Sequence, residues 1–147
     1  MTKLYPIKKI ILWLALPLLL ASSCKVENIN PVNESVKDIS GSWKVIKATR
    51  NGADLTGIVD FSQFRVNFNA GAYTLSNNLP FIVSQNGNYS LDNPQYPFQI
   101  TFTATGGTPV ATIFNYPIVN GVRILTVTFS PGCPQNAYVY TLQKVNN

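Results

Sequence analysis

Few side chains in this sequence could do acid–base, nucleophilic or metal chemistry. The 147 residues include six Asp and Glu, two Cys and no His. Without His, the usual base beside a Ser or Cys nucleophile is missing, and zinc loses one of its common ligands. The six acidic residues are scattered along the chain: Glu27, Glu34, Asp38, Asp54, Asp60 and Asp92.

Asp54 and Asp60 are the pair of carboxylates that a single loop could bring together. A glycosidase needs two carboxylates held about 5–10 Å apart across a cleft. Both residues lie in turn-like sequence, where solvated side chains are the more common arrangement. We therefore expect no catalytic residue, no metal site and no cofactor, and we predict that the protein is not an enzyme.

Cys24 has the most specific chemical signature in the chain. It follows a basic N-terminal region, the apolar run 10–20 and the small residues Ala21-Ser22-Ser23. This order is typical of a secretory signal peptide, and the run is shorter than the roughly 20 apolar residues of a membrane span. An uncleaved N-terminal anchor is the alternative interpretation.

The sequence that ends at Cys24 resembles the bacterial lipobox, in which the cysteine is acylated with diacylglycerol and the signal is cut just before it. The resemblance implies a signal peptide over 1–23, lipidation of Cys24 and attachment to a membrane through acyl chains. Lys25 does not resemble the Asp signal for inner-membrane retention in some Gram-negative bacteria. We therefore expect a cell-envelope protein of the outer membrane, in either leaflet.

The positive charge of the chain comes largely from the signal peptide. Removing residues 1–23 takes away three of the 11 Lys and Arg, so eight remain against six acids, and the net charge falls from +5 to +2. Only Lys44, Lys47 and Arg50 lie close together. Nucleic-acid-binding proteins usually carry a dense basic patch, so we expect no nucleic-acid partner.

Residues 24–39 are polar and without sustained periodicity, which predicts a flexible, lipidated tether. From residue 40 to 147, short alternating segments such as 64–68 and 98–102 are separated by Asn-Gly and Gly-Gly turns. This pattern is typical of antiparallel hairpins. We predict an all-β domain over 40–147, an up-and-down antiparallel barrel of about eight strands.

The start of this domain, Ser40-Gly41-Ser42-Trp43, resembles the Gly-x-Trp opening of lipocalin-like barrels. The segments 61–68, 78–81, 116–121 and 129–133 are similar to a family of uncharacterised lipocalin-like lipoproteins typical of Bacteroidetes. The resemblance implies that Trp43 packs at one end of the barrel. Lipocalins proper place an Arg over this Trp, and here the candidate cations are Lys144 and Arg123.

Alternate residues of a strand face the same side, and here many of those on the inward side are large and apolar. We therefore predict a well-filled interior, because an eight-stranded barrel is only just wide enough for its own side chains. Sixteen large residues are expected on the inward face: Trp43, Val45, Phe64, Val66, Phe68, Tyr73, Leu75, Phe98, Ile100, Phe102, Leu125, Val127, Phe129, Tyr138, Tyr140 and Leu142. Cys133 lies in the loop Ser130-Pro131-Gly132-Cys133-Pro134, where a half-buried packing thiol is favoured over a reactive one.

A binding role is the functional prediction that these features favour. The candidates are a small apolar ligand or an envelope protein partner, held by a non-catalytic lipocalin-like domain. The alternative is a surface lipoprotein that contacts carbohydrate through Asn-rich turns and tyrosine rings. Tyr89, Tyr96 and Tyr116 are the candidate contacts for a ligand or glycan.

Overall fold

The computed structural model describes residues 33–77 and 79–145. Within these ranges the chain forms ten β-strands: β1 Gly41–Arg50, β2 Ala53–Asp54, β3 Arg65–Asn69, β4 Ala72–Ser76, β5 Gly87–Leu91, β6 Gln99–Ala104, β7 Pro109–Asn115, β8 Ile118–Val119, β9 Val122–Phe129 and β10 Tyr138–Lys144. The described residues contain no helix that could cross a membrane. Cys24, the predicted signal peptide and most of the predicted tether lie outside the described residues.

Eight of the strands form a closed antiparallel barrel. They are hydrogen-bonded in the order β1-β3-β4-β5-β6-β7-β9-β10, and β10 pairs back with β1 from Trp43↔Lys144 to Arg50↔Tyr138. The two-residue strands β2 and β8 extend the hairpins of β1 and β9. Because this order follows the chain, the prediction of an all-β, up-and-down antiparallel barrel is confirmed.

Tight Asn-Gly turns reverse the chain where the sequence predicted hairpins. Asn51 and Gly52 have φ of 50° and 82°, and Asn120 and Gly121 have φ of 51° and 78°. Two consecutive positive φ angles are what a type I′ turn requires, and its twist matches that of the flanking strands. These local turns bring sequential strands together.

The barrel has two ends, which we name after the residues that close them. The Trp43 end carries the start of β1, the β3–β4 turn, the β5–β6 connection and the β7–β9 connection. The Phe81 end carries the β4–β5, β6–β7 and β9–β10 connections. Twelve large side chains are buried almost completely: Trp43, Tyr73, Tyr140, Phe64, Phe68, Phe102, Phe114, Ile39, Ile100, Leu125, Leu142 and Val66.

The alternation of residues along the strands correctly predicted most of the inward-facing side chains, but some assignments were wrong. Phe98 was expected inside but is 71% exposed, because it precedes β6 at the rim of the barrel. Val45 is only half-buried, since an irregularity in β1 between Val45 and Lys47 shifts the register with β10. Phe114 was not predicted inside, although it is fully buried.

Candidate functional site

The aspartates of the described residues organise turns. Each accepts a hydrogen bond from nearby backbone N–H groups at 2.8–3.0 Å: Asp38 from Ser40, Asp54 from Thr56, Asp60 from Ser62, and Asp92 from Phe98 and Gln99. The bonds of Asp38, Asp54 and Asp60 go to the residue two positions on, as in Asx turns, whereas those of Asp92 cross the β5–β6 connection. Hydrogen bonds lower the pKa of all four carboxyls: those from the Ser40 and Thr56 side chains contribute most for Asp38 and Asp54, and those from backbone N–H groups contribute most for Asp60 and Asp92. No group of three or more potential metal-ligating side chains occurs in residues 33–77 and 79–145.

Trp43 is completely buried at the start of β1, where the chain enters the barrel. Its indole N–H donates to the Ile39 carbonyl at 2.8 Å, and its ring lies 6.2 Å from the ring of Tyr116. The Tyr116 hydroxyl donates to the Asp38 carbonyl at 2.7 Å. Segment 37–40 is thereby fastened across this end of the barrel, although the sequence placed residues 24–39 in the tether.

Of the two candidate cations at this end, Arg123 is the one that contacts Tyr116, the tyrosine beside Trp43. The Arg123 guanidinium lies 4.5 Å from the Tyr116 ring centroid and donates to the Tyr116 carbonyl at 2.8 Å. Lys144, the other candidate, lies against Gly41, where an added Cβ would come within 2.6 Å of its Cε. Arg123 therefore stacks on the tyrosine that contacts Trp43, as a cation–π pair.

The three candidate tyrosines occupy different environments. Tyr116 is half-buried, and its ring is engaged by Trp43, Arg123 and Phe114, the last at 6.0 Å and nearly parallel. Tyr89 in β5 packs edge-on against Phe68, with ring centroids 4.7 Å apart. Burial raises the pKa of both hydroxyls. Tyr96, in the β5–β6 connection, is 41% exposed.

The Phe81 end is closed by the β4–β5 connection. Phe81 is 6% exposed, and its ring centroid lies 5.4 Å from that of Phe64 and 5.7 Å from those of Phe102 and Phe129. The Tyr140 hydroxyl holds the connection by donating to the Pro80 carbonyl at 2.7 Å. Residues 81–83 have the alternating apolar spacing of a short strand, but the structure shows a loop that buries Phe81 and Val83 in the barrel mouth.

Both ends of the barrel are thus plugged by aromatic rings, with packed side chains between them. A ligand inside would have to displace Trp43 or Phe81 together with its ring contacts. The sequence contained one sign of this plug, since Phe81 and Val83 are apolar residues two positions apart, and both are buried. That spacing fits a strand equally well, so only the tertiary structure identifies the plug.

An open groove of about 390 Å³ lies in the barrel wall near the Phe81 end, in the seam between β7 and the end of β9. Its lining is largely apolar: Ile82, Val110, Ala111, Ile113, Phe129 and Pro131, with Gln99, Thr112, Thr128 and Ser130. The volume falls within the range of small-ligand pockets. We call it the β7–β9 groove.

The groove exists because β7 and β9 pair along only part of their length. β7 pairs with β9 from Ile113 to Asn115, whereas Pro109–Ile113 pairs with β6. Among the strand pairings of the described residues, 109–112 therefore has a neighbour on one side only. The Thr112 hydroxyl donates to the Thr128 carbonyl across this seam. An unpaired strand edge beside apolar side chains is suited to an added extended segment.

Cys133 is exposed in the β9–β10 connection. The expectation of a half-buried packing thiol was wrong, because the bonds of this loop are made by its backbone: the Cys133 N–H donates to Pro131 at 3.1 Å and the Asn136 N–H to Cys133 at 2.9 Å.

The geometry defines a closed β-barrel with a filled interior and an open groove on its wall. The chain belongs to the family described as domain of unknown function (DUF5004), whose profile matches residues 21–143. No curated protein and no solved structure matches the chain.

Proposed function

We propose that the protein is a lipid-anchored cell-envelope protein whose barrel is a non-catalytic binding module. The anchor is assigned to Cys24, and the lipocalin-like lipoprotein family typical of Bacteroidetes is part of the same proposal. Two observations support it. The signal-like sequence ends in small residues followed by cysteine, and the family match begins at residue 21 and so includes Cys24. We include outer-membrane attachment because Lys25, beside the cysteine, does not resemble the Asp signal for inner-membrane retention.

The barrel binds its partner on the outside, in the β7–β9 groove. Binding in the groove is supported by the contrast between a plugged interior and an open apolar groove beside an unpaired strand edge. Backbone N–H and C=O groups on such an edge give affinity to an added strand, and neighbouring pockets give it specificity. We infer that the occupant is an extended segment of an envelope protein partner.

A small apolar ligand ranks second, because the groove has the volume for one, whereas large side chains of the described residues pack in the interior. Carbohydrate contact through the tyrosines ranks lower. The ring and hydroxyl of Tyr116 are already engaged by Arg123, Phe114 and Asp38, and the ring of Tyr89 packs on Phe68. A sugar would have to replace these contacts.

Metabolic labelling with a palmitate analogue tests the anchor. The wild-type protein should be labelled, and Cys24→Ala should abolish the label. Cys133→Ala is the matched control, since it removes the other thiol of the chain and should leave labelling unchanged. Label that persists in Cys24→Ala would contradict the anchor.

Site-specific photo-crosslinking in intact cells tests the groove. A photoreactive residue replaces Ile113, which is 58% exposed in the groove, or Ile58, which is 79% exposed in the β2–β3 connection and does not line the groove. The expected result is one protein adduct at position 113 whose crosslinks map to a single short segment. Equal crosslinking at both positions would contradict the assignment, and an adduct of a few hundred daltons would favour the small ligand.

A further inference from the structure

The incoming chain meets the barrel at a defined place on the Trp43 end. The Lys37 N–H donates to the Pro94 carbonyl at 2.7 Å, in the β5–β6 connection. The Asp38 carbonyl accepts the Tyr116 hydroxyl, in the β7–β8 connection. Residues 37–38 therefore lie between these two connections. An anchor N-terminal to them would be joined to the barrel at this end.

Exposed apolar side chains surround the same place. Six are well exposed: Val36 at 64%, Tyr96 at 41%, Phe98 at 71%, Ile118 at 61%, Val119 at 49% and Val122 at 40%. We call them the apolar rim.

The backbone connects the members of the apolar rim to the incoming chain. Val36 precedes Lys37, and Tyr96 and Phe98 share the connection that contains Pro94. Phe98 accepts a hydrogen bond from the Phe114 N–H at 2.9 Å, which joins this connection to the end of β7. Ile118, Val119 and Val122 follow in the β8–β9 hairpin. The rim is thus one feature of the Trp43 end.

We propose that the apolar rim docks on the lipid bilayer that holds Cys24, so that the Trp43 end faces the membrane. The inference rests on the proposed anchor. Twelve residues lie between Cys24 and Lys37, and the 13 steps from one Cα to the other span about 45 Å even when fully extended. An anchored domain is confined near the surface at high effective concentration, so a modest apolar contact is sufficient for docking.

The charges at this end favour apolar docking over electrostatic attraction. The basic residues are Lys37, Lys44, Arg123 and Lys144, and the nearby acids are Glu34, Asp38 and Asp92. Lys37 and Glu34 form an ion pair. Four cations against three acids leave a net charge of +1, whereas attraction to anionic headgroups needs a cluster of cations. Partial insertion of aromatic and branched side chains at the headgroup level requires no such excess.

Depth-dependent fluorescence quenching tests the orientation with the full-length lipidated protein in phosphatidylethanolamine–phosphatidylcholine vesicles. An environment-sensitive fluorophore is attached at Phe98→Cys or Ile118→Cys, each combined with Cys133→Ser. The matched control is the fluorophore on native Cys133, which is exposed at the Phe81 end. Acylation of Cys24 is measured on the same sample by mass spectrometry of the N-terminal peptide.

The expected result is a blue shift and loss of emission with nitroxide-labelled lipids at positions 98 and 118, and neither change at Cys133. Raising the salt concentration should leave the quenching unchanged. Acylated protein with no quenching at 98 and 118 overturns the docking inference and leaves the anchor intact. Absence of acylation overturns both. A blue shift that grows with the amount of protein per vesicle, without quenching by nitroxide-labelled lipid, would show that the rim contacts a second copy of the chain. That result would also overturn the inference.

Discussion

Replacing Phe81 with Ala tests whether the β4–β5 connection plugs the barrel. The ring is 6% exposed and lies within 5.4–5.7 Å, centroid to centroid, of Phe64, Phe102 and Phe129. The substitution removes a ring that contacts strands from several sides of the barrel. The Pro80 carbonyl keeps its hydrogen bond from Tyr140, so the connection itself should stay in place.

The expected loss of stability follows from the burial of the ring. Large-to-small substitution of a buried Phe costs about 3–5 kcal/mol, including the cavity left behind. Residues 79–86 make no strand pairings, so side chains around the space can shift slightly while Tyr140 holds Pro80, and the lower end of the range, about 3 kcal/mol, is expected. In a domain of this size, 1 kcal/mol corresponds to about 4 °C, so the melting temperature should fall by about 12 °C.

Urea unfolding and thermal melting of the purified protein measure this loss. Ile58→Ala is the control, because Ile58 is 79% exposed and its truncation should change the free energy of unfolding by less than about 0.5 kcal/mol. Phe81→Ala should also bind a small apolar probe that the wild-type protein excludes. A decrease in the free energy of unfolding below about 1 kcal/mol, without probe binding, would refute the plug, since removal of a ring packed in this way should destabilise the protein by more than that.

Three further predictions concern backbone strain and pH. Gly41→Ala should lower the free energy of unfolding by about 1–3 kcal/mol, because Gly41 has φ of 115°, and the loss should persist with Lys144→Ala; full rescue by that second change would contradict backbone strain. Burial raises the pKa of Tyr140 to about 12, so its contribution to stability is complete below pH 10 and is lost as pH rises toward 12. Tyr140→Phe should weaken that alkaline loss in urea titrations, and identical slopes would refute the assignment. The pKa of Asp92 is lowered by hydrogen bonds, so its contribution is present above about pH 4 and is lost as pH falls through the folded pKa; Asp92→Asn should reduce this acid dependence, and an unchanged urea titration would contradict it.

The strands and their order could be predicted from the sequence because both depend on local signals. Alternation over 64–68 and 98–102 fixes one face of a strand, and Asn51-Gly52 and Asn120-Gly121 have the residues that a type I′ turn needs. Each hairpin then pairs neighbours in the chain. An antiparallel order that follows the sequence needs no long-range information until the last strand meets the first.

The errors occurred where a side chain's position depends on distant contacts. Phe98 continues the alternation of β6 but lies at the barrel rim, so its parity no longer determines its burial. Phe81 and Val83 have the spacing of a strand, yet their partners are rings from other strands. The β7–β9 groove depends on where β9 ends, near Phe129, relative to Pro109, which no local pattern specifies.

A plugged barrel changes what the resemblance to lipocalins implies for this protein. A carrier of the lipocalin type needs one open mouth, but here Trp43 closes one end and Phe81 closes the other. The proposed binding role therefore rests on the outer surface, where an unpaired edge of β7 and an apolar rim are available. If Cys24 is acylated as proposed, the incoming chain directs the rim toward the bilayer, and the β7–β9 groove lies toward the opposite, Phe81 end of the barrel. A partner in that groove would then bind the part of the barrel that faces away from the membrane, where an extended segment of another envelope protein can reach the unpaired edge of β7.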